Sequence, residues 1–421
     1  MFTKRFSKAN LLMVGLLIFL ASCGQDNGPV QWRGPERTGY YPDKELLSQW
    51  PDSGPPLIMK LSGIGKGHST PLFYKDKIYV TGRKDTLEYL SAFNEKAELQ
   101  WQVPYGKAWY KSFPDSRCTP AIEKNKIYLI TGSGEVVCHD ARNGDQIWYV
   151  NADDTYDGNI WQYGVSESPL LTDDAVIYTT GGKENSLIAL DKENGSLIWK
   201  AQSIGGARGY ASHIQVEYAG IPIIIAQTAR DVMGVDARNG DLLWHYNLID
   251  YHEIAMGKGN NINTPVYQDG KFYITSGYNH PGMLFEIGDD GHSVNLLWTN
   301  NELDCHLGGV ILKDGFLYQS NWQNNSQGRW ICADWSTGDI QWEKDWYNKG
   351  SIISADGLLY LYEEKWGHVG LLKPNSKHFD LISEFQIKEG AGPHWAHPSI
   401  YNGYLYLRHG DIIVVYDVND H

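Results

Sequence analysis

Several chemistries are missing from this sequence of 421 residues. It holds five cysteines, with no adjacent pair and no C-x-x-C, and it lacks the C-x-x-C-H signature of covalent haem attachment. Cations are in deficit: 36 Lys and Arg stand against 50 Asp and Glu, a formal net charge of −14. A general nucleic-acid binder needs a basic face, and this chain lacks the charge for one. After the N-terminal segment no apolar run reaches about 18 residues, so no later helix is expected to span a bilayer. The excess lies in aromatics, 13% of the chain with 16 Trp and 27 Tyr. That load suits β-sheets that pack on rings, and a surface that faces carbohydrate.

The first residues read as an export signal. Lys4, Arg5 and Lys8 form a basic region ahead of the apolar stretch Leu11 to Leu20, which is too short to cross a membrane. Leu20-Ala21-Ser22-Cys23 resembles a bacterial lipobox, which implies removal of residues 1–22 and diacylation of Cys23. The expectation is an exported chain held to the cell envelope, at the outer membrane, by lipid alone. Residues 23–55 are read as a polar tether followed by a segment that wraps the rim of the fold. Cys118, Cys138, Cys305 and Cys332 remain; the compartment permits disulfides but spacing pairs none of them, and each reads as a small buried hydrophobe.

From residue 56 onward a unit recurs. Asp, four residues on Gly, and four more on Trp appear as Asp140-Gly144-Trp148, Asp191-Gly195-Trp199, Asp236-Gly240-Trp244 and Asp334-Gly338-Trp342. This is hairpin chemistry. The Asp carboxylate caps the turn, Gly supplies a positive φ, and Trp sits on the outer strand where it can pack between neighbours. Two alternating strands precede each phrase, as in KIYLITG then GEVVCHD, and are expected to be half-buried. A Pro-led strand stands before them: STPLFY, CTPAIE, ESPLLT, NTPVYQ. Four strands per unit make a propeller blade.

Degenerate copies complete the count. The first has Asn94 and Trp101, the fifth ends at Trp298, and the seventh, from Ser351, has lost the Trp. The eighth, from Pro398 through YLYLRHG to IIVVYDV, stops at its third strand. The unassigned PPLIMKLS near residue 58 is expected to supply the fourth strand and close the ring, which protects the sheet edges. Residues 56–421 are thus expected to form an all-β, eight-bladed propeller of four-stranded antiparallel blades.

The fuller phrase A-x-D-x-x-x-G-x-x-x-W, complete at Ala189-Leu190-Asp191 to Trp199, resembles the tryptophan-docking repeat of the pyrroloquinoline-quinone (PQQ) quinoproteins. It is similar also to the repeats of the outer-membrane assembly lipoproteins of the BAM complex. The resemblance covers nearly the whole mature chain. It implies the fold and little about activity, because propellers host many functions.

Loops entering the inner strands of a propeller converge on one funnel. Here they carry His68, Arg117, Glu167, His213, Asn263, His306, Ser351 and His397, with Lys66, Lys107, Arg208, Tyr210, Lys258, Asp304, His394 and Trp395 close by. Cations and imidazoles gathered at equivalent places in an acidic chain point to an anionic, ring-shaped ligand. Trp109, Trp161 and Trp395 are placed to stack on sugar faces.

Three functions follow. The first is cofactor-free β-elimination on uronic-acid oligosaccharides, with a sugar or water leaving. His213, His306 and His397 would be acid and base, Tyr210 the partner acid, and Arg117 and Arg208 would neutralise the carboxylate. His68, Lys66, Lys107, Asn263, Trp395 and His394 would bind the substrate. The second is a PQQ-dependent alcohol or sugar dehydrogenase. Its Ca²⁺ cage would have to come from Glu167, Asn263 and Asp304, and the adjacent cysteine pair common in such enzymes is missing. The third is a non-enzymatic assembly or binding scaffold. His394 and His397 lie three apart, but outside a helix that spacing fixes no geometry, and no metal site is assigned. The expected partners are an anionic oligosaccharide and, through the lipid, a membrane; no nucleic acid is expected, and the chain is read as a monomer. Convergent His, Tyr and Arg around an open pocket would favour the eliminase, a carboxylate–Asn cage PQQ, and a flat or plugged mouth the scaffold.

Overall fold

The computed structural model describes residues 29–160, 162–251 and 260–421, so the signal region, Cys23, Trp161 and Lys258 lie outside the described residues. Eight sheets succeed one another along it: blades 1 to 6 at 72–107, 121–151, 170–202, 214–247, 266–300 and 311–344, blade 7 at 350–386, and blade 8 from 399 to 417. Each is a four-stranded antiparallel meander with its first strand innermost, Pro-led in blades 1, 2, 3, 5 and 8, and blade 7 gains a short parallel fifth strand on its inner edge. Blade 8 takes its outer strand from Leu57–Leu61, which pairs antiparallel with Ile412–Asp417. The expected closure therefore holds, and the two ends of the ring are laced by hydrogen bonds.

The hairpin chemistry is as the repeat implies. Asp191 Oδ1 accepts from the N–H groups of Glu193 and Asn194 at 2.7 and 3.0 Å, and Gly195 has φ of +74°. On the outer strand, Trp199 donates its indole N–H to Ala237 O of blade 4 at 3.0 Å. One expectation changes. The second and third strands are not half-buried; Ala175–Thr179 is buried throughout, while the outer Leu197–Gln202 alternates. Neighbouring blades cover both faces of the inner strands, so the core is a set of inter-blade layers. Tyr128, Cys138 and Trp148 of blade 2, for example, pack on Val176, Ile188 and Leu190 of blade 3. Cys118, Cys138, Cys305 and Cys332 are all free and buried.

The residues before the prolines also link blades. Thr70 N–H donates to Thr119 Oγ1, Thr119 N–H to Ser168 Oγ, and Ser168 N–H to Ser212 Oγ, at 2.9–3.0 Å. Hydroxyls at equivalent positions thus link blades 1 to 4 in succession.

Only the second half of the N-terminal segment follows the rim, where Trp50 N–H donates to Ser383 Oγ on the outer strand of blade 7; the first half does not. Val30 bridges Ile122 of blade 2, and Tyr40–Tyr41 runs parallel to Gly350–Ala355 of blade 7. Between them Arg37 donates to Ser168 O and Pro169 O of blade 3, Trp32 Nε1 to Thr264 Oγ1 ahead of blade 5, and Arg33 to Val310 O and Ile352 O of blades 6 and 7. A loop this short touches the inner strands of so many blades only on the ring axis, so residues 30–41 fill the channel. Among the described residues no helix is long and apolar enough to cross a membrane.

Candidate functional site

The candidate residues do gather around the mouth of the channel, but most are committed to the ring. His397 Nε2 donates to Leu307 O at 2.7 Å, and its Nδ1 lies 3.2 Å from Arg33 Nη1, which fixes a neutral tautomer. Burial, then Arg33, holds its pKa down to about 3. Burial, then Lys349, does the same to His306, which stands edge-on to Tyr278 at 4.6 Å. His68 is likewise held at about 3 by burial and then Arg408, with its ring 5.2 Å from Trp395. His213 is 2% exposed, with Nε2 at 2.5 Å from Thr179 Oγ1 and 3.3 Å from Glu167 Oε2. His394 Nδ1 is 2.6 Å from Tyr362 Oη, its ring stacks on His409 at 3.6 Å, and burial pushes it down to about 3.

His68, His306, His394 and His397 are thus not imidazolium cations at neutral pH. Nor do the acid–base candidates pair: no hydrogen bond joins any two of His213, His306, His397 and Tyr210 among the described residues. Each histidine belongs to a different blade junction. Arg208 is a plain correction. It is 1% exposed, paired with Asp153 and bonded to Tyr178 Oη and Thr180 O, so it faces sideways into the junction of blades 2 and 3 and is unavailable to a substrate. Asn263 is a staple: its Nδ2 donates to Cys305 O and His306 O, and its Oδ1 accepts from Gly309 N–H. Ser351 Oγ donates to Ala396 O.

Two features remain at the mouth. The first is a chain of rings: His68, Trp395, Phe113, Tyr163 and Tyr210 follow one another with centroids 5.2–5.9 Å apart. The second is a group of guanidiniums held only by neutral acceptors. Arg117 donates to the carbonyls of Tyr163, Ser112 and Phe113. Arg33, Arg37 and Arg408 are buried and bonded to carbonyls, Gln31, Ser69 and His397. Burial lowers Arg33 to about 10 and Arg37 and Arg408 to about 9, which leaves each a cation at neutral pH. Lys66 and Lys107 are exposed around this mouth. Sequence reasoning missed Arg33, Arg37 and Arg408. The signal for the first two was WRGPERTG, with two arginines in a Gly-rich stretch of an acidic chain.

A Ca²⁺–PQQ site does not fit these donors. Both oxygens of Glu167 are taken by Thr179, and Asn263 is spent on backbone groups. Asp304, pushed up to about 7 by burial, receives Trp322 N–H. Among the described residues no group of three His, Cys, Asp or Glu is arranged to hold a metal ion.

Known proteins resemble this chain in sequence or in fold. A family model described as outer membrane protein assembly factor BamB matches residues 57–161 and 88–344. An uncharacterized protein of Rickettsia prowazekii (strain Madrid E) is 26% identical over 317 residues, which covers 69% of this chain and 71% of that protein. The crystal structure of BamB from Moraxella catarrhalis superposes with a TM-score of 0.62 at 15% identity, covering 86% of this chain and 99% of that one. A europium-containing methanol dehydrogenase gives 0.68 at 13% identity, covering 90% of each. At these identities the likeness to the solved structures is one of fold.

Proposed function

The chain belongs to the family described as outer membrane protein assembly factor BamB, and we propose that it is a non-enzymatic scaffold of the cell envelope that holds protein partners on its funnel face. The observation that carries this reading is the filled axis. Residues 30–41 occupy the space that a catalytic propeller would give to substrate or cofactor, and they are fixed there by Arg33 and Arg37. His397, with both ring nitrogens bonded, and His394, with Nδ1 bonded, support it, because a general base needs a free ring nitrogen within reach of its proton. In this reading the chain is exported, held at the outer membrane by acyl chains on Cys23, and works as a monomer that serves protein assembly.

The row of rings from His68 to Tyr210 beside Arg117 favours a second reading, in which the mouth also binds an anionic saccharide. Elimination on such a ligand belongs to that reading.

Removal of the gene should lower the amount of folded, heat-modifiable barrel proteins in the outer membrane, and the wild-type gene should restore it. Unchanged barrel levels, together with unsaturated products when the purified protein meets uronic-acid oligosaccharides, would overturn the scaffold in favour of a lyase. Dye reduction that requires added PQQ and Ca²⁺ would overturn it in favour of a dehydrogenase.

A further inference from the structure

We infer that the propeller stands with its hairpin-turn face toward the bilayer and its funnel face toward the compartment. The inference rests on the Cys23 anchor of the proposed function and adds the geometry of that attachment. It starts from where the N-terminal loop enters the ring. Val30 exchanges both backbone hydrogen bonds with Ile122, beside the Lys124–Asn125 turn that joins the first two strands of blade 2. The other leg, Tyr40–Tyr41, pairs with Ser354 and Ala355, next to the corresponding turn of blade 7. Both legs therefore lie at the hairpin-turn end, and the tip, Trp32 to Arg37, points toward the funnel.

Length then decides. The six residue steps from Cys23 to Pro29 span at most about 20 Å. To turn the funnel face to the bilayer, the tether would have to pass outward beneath four strands and then rise the height of a blade. At about 4.8 Å between strands and about 3.3 Å per residue along one, that path is roughly 35 Å. The tether falls short by about 15 Å, and the hairpin-turn face is the one it can hold near the lipid.

The two faces differ in the same sense. Exposed Tyr110, Phe113, Ile249, Tyr347 and Trp366 lie on funnel-side connections, whereas exposed Leu57, Leu99, Ile147, Leu197 and Leu297 lie on the outer strands at the periphery of the ring. The turns between first and second strands instead carry Asp76, Asp174, Asp269, Asp314 and Asp356. An acidic, polar face does not insert into lipid; it stands off on its tether and leaves the aromatic face open to a protein partner.

The test uses the full chain purified from envelope membranes and placed in phosphatidylethanolamine–phosphatidylglycerol vesicles that carry an acceptor dye on the headgroup. One fluorophore is attached through Asn402→Cys on the hairpin-turn face, another through Lys183→Cys on the funnel face; the native cysteines after Cys23 are buried. Energy transfer should be several-fold more efficient from position 402. Equal or greater transfer from position 183 overturns the inference. A spacer of about twenty Gly and Ser residues after Gly28 should bring the two signals together; an undiminished difference would show that the tether does not set the orientation and would also overturn it. Mass spectrometry of the N-terminal peptide tests the anchor separately. If Cys23 carries no acyl group the anchor reading fails, and the orientation is then read on the chain coupled through the Cys23 thiol to a maleimide lipid.

Discussion

Trp148 lies over Gly195 of the following blade, so close that a Cβ there would stand 2.8 Å from its Cε3, and its indole N–H donates to Lys192 O at 3.0 Å. The glycine thus meets two demands at once, a φ of +74° and contact with a neighbour's ring. Gly195→Ala should cost about 2–4 kcal/mol, the sum of a left-handed penalty of about 1 and an overpacking term of about 1–3. Gly220→Ala is the control. Its φ is +75° but nothing lies within 4 Å of the added methyl, so it should cost only about 1 kcal/mol. Urea midpoints at unchanged m-value would measure both; equal losses would mean that the Trp contact imposes no constraint.

That contact also shows why the fold was legible in the sequence while most of the site was not. The turn residues and the docked Trp act within one hairpin and the next, so each blade must restate them, and the restatement is visible. Leu57–Leu61 was legible as the one strand left over in a ring that needed it. The channel loop had no such signal. Arg33 bonds Val310 and Ile352, 277 and 319 residues away, and no local pattern encodes partners so distant. Arg208 shows the other failure. Its position near a blade entrance was right, but the partner that turns it sideways, Asp153, sits on a one-turn helix, Ala152–Thr155, inserted after blade 2. Position along the chain located the histidines at the mouth; it did not say which way their rings would face.

Arg33 should hold the loop in the channel. It donates to Thr38 O, Val310 O and Ile352 O and to His397 Nδ1. Arg33→Met keeps most of the stem's packing and leaves buried carbonyls unpaired, at about 1–3 kcal/mol each, partly offset because no guanidinium need be desolvated. The net loss should be roughly 3 kcal/mol by urea unfolding. Removing the cation should also let the His397 pKa rise, read by NMR titration. A His397 titration unchanged from the wild type would show that Arg33 does not reach it.

Stability should rise with pH on the acid side. His68, His306, His394 and His397 are held down to about 3 by burial, against about 6.5 in an unfolded chain. Between those values the unfolded chain binds protons that the native ring refuses, so this stability is fully present above about 6.5 and is lost as pH falls toward 3. Glu88 and Asp304, pushed up to about 7, act in the opposite sense. Asp153, Asp231, Glu363 and Glu364 are pushed up less far by burial and His139 and His368 are pushed down less far, so these oppose one another; among the large shifts four groups outweigh two, at up to about 1.4 kcal/mol per pH unit each. The urea midpoint should therefore climb from pH 4.5 to 6.5, and a flat or falling profile would refute the neutral, buried histidines.

Glu88 isolates the opposing effect. Its carboxyl is 2% exposed, accepts from Gly132 N–H at 3.3 Å and from Tyr105 Oη, and lies 3.4 Å from Ser116 Oγ. Burial raises its pKa from 4.5 to about 7 despite these donors. The native state therefore keeps a proton that the unfolded chain gives up, and the associated stability, full below about 4.5, is lost as pH rises through 7. Glu88→Gln keeps the shape and cannot ionise. At pH 4 it should lie within about 1 kcal/mol of the wild type, since one acceptor becomes a donor facing Tyr105 or Gly132. Above pH 8 the wild type must hold a buried carboxylate and the variant need not, so the difference should move in favour of the variant by roughly 2–3 kcal/mol. Melting temperatures of both proteins from pH 4 to 9 measure it. A difference that stays constant with pH would mean that Glu88 ionises in the ring as it does in the unfolded chain, and that its donors offset its burial.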